Sequence, residues 1–247
     1  MTKAQFQVFS SPEFVAQAVA SHIAEVVRAR PQTVLGLATG KTFVSIYEAL
    51  VRVSAETGLS FAEASSFNLD EYVGLPVGHS ASFRRYMEEH FFRHVDLPAD
   101  RALLPEAGDD AEAACSAYEA AIAARGGVDV QLLGIGRNGH IGFNEPGSAF
   151  DGRTQVARLT PSTIAANTSD FPPGEVPPPE AITMGIGTIL DAHAIVLVAT
   201  GAAKAEALAR AFLAPMDVDC PASALQQHAH VTVFCDEAAF AGMGPKA

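Results

Sequence analysis

Apolar residues recur at helical spacing from Phe14 through Val15, Ala18, Val19, Ile23 and Val26. Ahead of them stands Ser10-Ser11-Pro12-Glu13, a hydroxyl cap with proline in the first turn, so this stretch predicts an amphipathic helix facing a core. Further helices are predicted through Ile46, Leu50 and Val53, over 81–94, over roughly 111–125, over 187–191 and over 203–213. Between them lie short apolar runs at 7–9, 33–38, 65–69, 128–133, 194–200 and 230–234, which read as strands, several of them buried on both faces. Strands alternating with helices predict an α/β protein: three layers, Rossmann-like, a mostly parallel sheet with helices on both faces. No internal repeat or linker interrupts the pattern, so one domain is expected across 1–247.

Residues 151–180 break the rhythm. The segment Asp170-Phe-Pro-Pro-Gly-Glu-Val-Pro-Pro-Pro-Glu180 carries five prolines, which rules out a central strand or helix there. A long segment of this kind predicts a lid over 151–185 or, with equal claim, a surface loop. Order is expected to return at 181–184, and 223–228 forms a further short element before the last strand.

Composition narrows the classes. With 247 residues, 49% of them hydrophobic, the chain can bury a sizeable core. No apolar run approaches the ~18 residues of a membrane span, and Met-Thr-Lys-Ala-Gln-Phe lacks a signal-peptide core. Three cysteines, Cys115, Cys220 and Cys235, show no metal-like spacing and suit a reducing cytoplasm. His228 and His230 alternate beside a strand without a third ligand nearby and read as structural or exposed. A net charge of −12 argues against nucleic acid and means that an anionic substrate needs local donors.

The richest chemistry lies in Gly134-Ile-Gly-Arg-Asn-Gly-His-Ile-Gly-Phe-Asn-Glu-Pro-Gly147, directly after a predicted strand. Glycines mark a main chain that turns sharply or admits a close approach. Among them stand Asn138, His140, Asn144 and Glu145. In a tight loop, the five-residue spacing lets the Glu145 carboxylate fold back onto the His140 imidazole, ordinary equipment for general acid–base catalysis near neutral pH. Gly36-Leu-Ala-Thr-Gly-Lys-Thr42 resembles a nucleotide-binding P-loop but has three residues, not four, between the first glycine and Gly-Lys. What survives is a strand, a glycine turn, hydroxyls and a helix start, the parts of a phosphate seat. Thr39–Thr42, Asp70, the 134–147 loop and Gly201–Lys204 all follow strands, so they are expected on one rim of the sheet.

The pieces Leu35–Thr42, Phe67–Pro76, Gly134–Pro146, Leu159-Thr160, Ala166-Asn167, Ala181–Asp191, Gly201–Lys204 and Pro221–Gln226 resemble the glucosamine-6-phosphate deaminase (glucosamine-6-phosphate isomerase) family. They cover nearly the whole chain in order. Asn-Leu-Asp-Glu-Tyr72 and Asn-Gly-His-Ile-Gly-Phe-Asn-Glu145 are the most specific. The resemblance implies conversion of glucosamine 6-phosphate and water into fructose 6-phosphate and ammonia, in amino-sugar catabolism, with no metal and no cofactor. It makes Asp70 the base that moves a proton between C2 and C1. His140 opens the pyranose ring, helped by Glu145 and the residue at 138, while Thr39, Gly40, Thr42 and Lys204 hold the phosphate. Taken alone, Asp70 reads as a helix cap or surface acid and Lys204 as a solvated helix residue.

The chain departs from the family pattern at several positions. Asn138 stands where some members carry Asp, so it is expected to orient His140 without exchanging protons. Ser169 stands where some members place a lid arginine, and Lys41 where others have a small residue; Lys41 is expected to replace part of the missing charge at the phosphate. The same two changes are compatible with galactosamine 6-phosphate as substrate. Phe43 replaces a proline. The short tail after Glu237, with Gln155 and Ala157 lacking basic groups, leads us to expect no activation by N-acetylglucosamine 6-phosphate. Alternatives are a 6-phosphogluconolactonase, which lacks the Asp-Glu-Tyr-Val-Gly-Leu stretch, and a non-catalytic sugar-phosphate sensor. Monomer and homo-oligomer are both compatible with the resemblance.

Overall fold

The computed structural model describes residues 4–107 and 110–244. In chain order the strands are β1 (Gln5–Phe9), β2 (Val34–Leu37), β3 (Ser65–Asn68), β4 (Asp70–Tyr72), β5 (Ala102–Leu103), β6 (Val130–Gly134), β7 (Gln155–Arg158), β8 (Glu180–Thr183), β9 (Ala194–Ala199) and β10 (Val231–Asp236). The α-helices are α1 (Pro12–Ala29), α2 (Lys41–Thr57), α3 (Phe83–His90), α4 (Ala111–Ala124), α5 (Pro161–Asn167), α6 (Ile186–Leu190), α7 (Ala205–Leu213) and α8 (Glu237–Phe240). Among the described residues no helix is long and apolar enough to cross a membrane.

Seven strands form one parallel sheet in the order β1-β10-β9-β6-β2-β3-β5. Register fixes which side chains share a face. Phe67, Gly36, Gln131, Ile195 and Val231 lie in line across it, and Val233 with Phe6, two residues further along, share the same face, which meets Tyr118 of α4 and Phe212 of α7. Phe9 and Phe234 point the other way, with His22 of α1 packed on Phe234. Helices thus cover both faces, as the alternation of elements predicts. From β2 the chain runs outward through β3 to β5; from β6 it runs the opposite way through β9 to β10. The switch in direction falls between β2 and β6, where a crevice opens beyond the carboxyl ends of the strands.

A second sheet, β4-β8-β7, is antiparallel. It was not expected, because β4 is only three residues long and β7 lies inside the stretch read as irregular. That stretch holds β7, α5 and a 3-10 turn at Thr168–Asp170; its longest part without helix or strand is 171–179, with its prolines. Tyr72, Phe143, Leu159, Phe171 and Ala181 form a separate small core beneath it. The base of the segment is anchored to α4, where Glu119 accepts from Thr154 N at 3.0 Å and from Arg153 Nη2 at 2.7 Å.

Two other boundaries differ. The helix expected over 81–94 ends at His90: Phe91 leaves helical geometry at φ −140°, its ring 5.3 Å from Tyr47 and 5.4 Å from Phe61, and a 3-10 turn follows. The helix expected from 203 starts at Ala205, after a 3-10 turn at Ala202–Lys204.

Candidate active site

The loop after β6 is tight. Ile141 and Asn144 form an isolated bridge, and Gly136 N donates to His140 O at 2.9 Å. This folding lays the imidazole of His140 over Gly136, where any Cβ would overlap the ring. Glycine is required there for close approach. His140 Nδ1 then lies 3.6 Å from Glu145 Oε2, an ion-pair separation rather than a hydrogen bond.

Glu145 is fixed from three sides. Asn138 Nδ2 donates to its Oε2 at 2.7 Å, the Thr163 hydroxyl of α5 donates to Oε1, and the His140 ring stands alongside. Burial alone would push this carboxyl up; the His140 ring, Thr163 and Asn138 outweigh burial and hold it at about 2. A carboxylate facing Nδ1 favours the tautomer with its proton there, leaving Nε2 for the open side of the ring. Asn138 reaches His140 through the main chain and through Glu145: its amide donates to Glu145, and its Oδ1 accepts from the His140 backbone at 3.2 Å.

Asp70 begins β4 and is paired with Thr183 of β8. A Cβ built on Gly142 would sit 3.7 Å from Asp70 Oδ2 and 2.8 Å from Thr183 Oγ1. Gly142, at φ +56°, is two residues beyond His140. The glycine loop therefore lies against the Asp70 carboxyl, and the expected base and the expected ring-opening group share one rim. Asp70 is 6% exposed, and among the described residues no group donates a hydrogen bond to its carboxyl. Burial, and after it the charge of Glu71, pushes that carboxyl up to about 8.

The glycine turn after β2 is where a phosphate seat is expected. Gly40, at φ +113°, caps α2 without a side-chain hydrogen bond, so the first amides of the helix remain available to an anion. Thr39 and Thr42 are half-buried beside it, and Tyr86 of α3 donates to Gly40 O at 2.8 Å. Lys204 reaches over from the turn after β9 and donates to Ile135 O at 2.7 Å, leaving two of its protons free. Burial, and then the nearby Arg137, lowers its ammonium. Strand order places the β6 end between those of β2 and β9, so Gly40, Arg137 and Lys204 are neighbours along the rim.

Lys41 points elsewhere, donating to Ser169 Oγ at 3.2 Å and pairing with Asp170 Oδ1 at 3.3 Å. Both side chains of that pair are exposed, 79% and 53%, so it contributes ~0–1 kcal/mol. A cavity of about 240 Å³ opens behind the turn, lined by Lys41, Thr42, Ser45 and Thr200. It touches none of Asp70, His140 and Glu145, so the reacting carbons of a sugar do not belong there.

Three contributors escaped the sequence reading. Thr163 and Thr183 carry no motif signal of their own, and Arg137 was passed over within the glycine loop. The nearest available clue was that Arg137 is a cation in a polar loop of a strongly acidic chain. His228 is structural, its Nε2 2.7 Å from Ala192 O and its Nδ1 accepting from His230 N, while His230 itself is exposed. Among the described residues no group of three or more His, Cys, Asp or Glu is arranged to hold a metal ion.

Comparison with known proteins identifies the family. Residues 11–234 match the family described as glucosamine-6-phosphate isomerases/6-phosphogluconolactonase. A glucosamine-6-phosphate deaminase of Cellvibrio japonicus is 51% identical over 86% of this chain and 81% of its own. One from Rhodopirellula baltica is 49% identical over 95% and 94%. Among solved structures, a monomeric glucosamine-6-phosphate deaminase superimposes with a TM-score of 0.93 at 41% identity, covering 96% of this chain and 99% of that one. A 6-phosphogluconolactonase from Trypanosoma brucei, at 20% identity and a TM-score of 0.78, shares the fold. This chain therefore belongs to the glucosamine-6-phosphate isomerase/6-phosphogluconolactonase family.

Proposed function

We propose that this protein is a cytoplasmic glucosamine-6-phosphate deaminase. The observation that carries the reading is the approach of the Gly142 loop to Asp70, which puts a buried, strongly basic carboxylate beside an imidazole–carboxylate pair. The phosphate sits on the Gly40 turn and the first amides of α2, between Thr39 and Thr42 and under Lys204. Lys41 stands next to Ser169, and its weak tie to Asp170 leaves it available to a phosphate dianion.

His140, held by Glu145, moves a proton between the O1 hydroxyl and the ring oxygen and opens the pyranose. Asp70, ionised, takes the proton from C2 of the open-chain aldehyde while O1 gains the proton that the substrate's ammonium gives up, giving an enolamine; Asp70 then returns the C2 proton to C1, giving a protonated 2-imine. Water adds at C2, and ammonia leaves as the C–N bond breaks, so one water is consumed and fructose 6-phosphate remains. A carboxyl that holds its proton as firmly as Asp70 is a strong base once ionised. The substrate's own ammonium, arriving beside it, favours that ionised form. Residues 151–185 serve as a cover over the sugar, with Thr163 and Asn167 its contacts to Glu145 and Tyr72.

Two assays of the purified protein test the reading: ammonia release from glucosamine 6-phosphate and from galactosamine 6-phosphate, and acid release from 6-phosphogluconolactone. Steady release from glucosamine 6-phosphate, lost in Asp70→Asn, is expected. Hydrolysis of the lactone alone, or no turnover of any of the three, rejects it.

A further inference from the structure

Asp70 and Glu71 are consecutive on β4 and therefore point to opposite sides of it. Asp70 faces Gly142 and the sugar site, whereas Glu71 faces the start of α3. Glu71 is 7% exposed, and its carboxylate is fully engaged. Tyr72 N and Phe83 N each donate to Oε1 at 2.9 Å, and Arg84 N donates to Oε2 at 2.8 Å. Phe83 and Arg84 are the first two residues of α3, so Glu71 satisfies amides that the helix leaves unpaired and sits at its positive end. The two neighbours thus differ sharply: one carboxyl holds three amide donors, the other none.

We propose that Glu71 is a positioning residue for the isomerisation, a role that rests on the deaminase reading of Asp70. Pinned on three amides, it anchors the strand that carries Asp70 and keeps the negative charge of the pair on its own side, so that the transferable proton belongs to Asp70. Two adjacent buried carboxyls cannot both ionise easily, and the one with donors ionises first. Burial raises both; at Glu71 the amides of Phe83, Arg84 and Tyr72 and the Arg84 guanidinium oppose it, while at Asp70 the charge of Glu71 adds to it. Tyr47 of α2, Tyr118 of α4 and Tyr72 of β4 also face Asp70, but burial raises all three hydroxyls, and they stay neutral. The loop and β8 contribute Gly142 and Thr183, which do not titrate. Glu71 is therefore the charge that sets Asp70 apart from an ordinary aspartate beyond burial itself.

The test is carbon-13 NMR of the side-chain carboxyls in the intact protein, comparing wild type with Glu71→Gln and using Asp70→Asn for assignment. In wild type, Glu71 is expected to titrate below Asp70. In Glu71→Gln, whose amide oxygen can still accept at the Oε1 position, the Asp70 titration is expected about half a pH unit or more lower. The acidic limb of kcat/KM should move with it, a change that a merely structural role would not produce. An unmoved Asp70 titration in a folded Glu71→Gln overturns the proposal. So does a wild-type Glu71 that titrates above Asp70, a result that decides the matter even if the variant does not fold. Should wild type release no ammonia, the deaminase reading fails, while the two carboxyl titrations still judge the pair.

Discussion

Lys41 Nζ lies 3.2 Å from Ser169 Oγ, so the two positions at which this chain departs from the family's phosphate pattern are in contact. If Lys41 takes over part of the charge expected at 169, its loss should be felt at the phosphate. Lys41→Ala is expected to raise KM for the phosphosugar roughly fivefold, corresponding to about 1 kcal/mol for an exposed charge, with kcat little changed. Restoring an arginine, as Lys41→Ala/Ser169→Arg, should recover most of the loss. An unchanged KM in Lys41→Ala removes Lys41 from phosphate binding.

Replacing Glu145 should separate orientation from folding. Glu145→Gln leaves His140 without its carboxylate, and kcat is expected to fall about 10²–10⁴-fold, measured by ammonia release. The stability consequence has a definite sign. The carboxyl sits at about 2 in the folded protein against an ordinary value of 4.5. Its ionised form therefore stabilises the fold above pH 4.5, and that contribution is lost as pH falls from 4.5 through about 2. The difference in Tm between wild type and Glu145→Gln should shrink over that window.

Asp70 has the opposite sign. Its carboxyl is held at about 8 instead of 3.8, so the folded protein binds a proton that the unfolded chain has released. Stability attributable to this group therefore falls as pH rises from 3.8 to about 8, by at most about 1.4 kcal/mol per pH unit. Asp70→Asn should abolish turnover and at the same time raise Tm, with a gain that grows up to about pH 8 and then levels off. A variant that is inactive and also less stable across that range would contradict the burial of an unsatisfied acid.

Gly136→Ala tests the loop geometry. The added methyl would overlap the His140 ring, which must then swing away from Glu145. A displacement near 1 Å costs on the order of 10²-fold in rate, so kcat should collapse while far-UV circular dichroism stays unchanged.

The large sheet was legible because its strands are apolar runs with glycine turns behind them, and each such turn delivers a polar group to the same edge. His140 and Glu145 could be paired from spacing and Asp70 and Lys204 from family motifs, since these positions are fixed by local chain direction. The small sheet was not legible. Asp70–Tyr72 is a strand only because Glu180–Thr183 pairs with it, a contact more than a hundred residues away in sequence. Gln155–Arg158 is half exposed, with no strong apolar alternation to announce it. Thr163 was invisible for the same reason: a threonine in a short helix acquires meaning only when tertiary packing brings it to Glu145. That Asn138 would also donate to Glu145 was not legible, because sequence proximity to His140 said nothing of which way its amide would turn.

Thr163 ties α5 directly to the carboxylate that steadies the imidazole. Any outward swing of α5 that frees the rim for product to escape severs that tie, and Glu145 is then left to Asn138 alone among its hydrogen-bond donors. If residues 151–185 cover the sugar as proposed, access and readiness are coupled: the pair would be fully assembled only under the cover, and an uncovered enzyme would meet water with its proton-transfer group slackened.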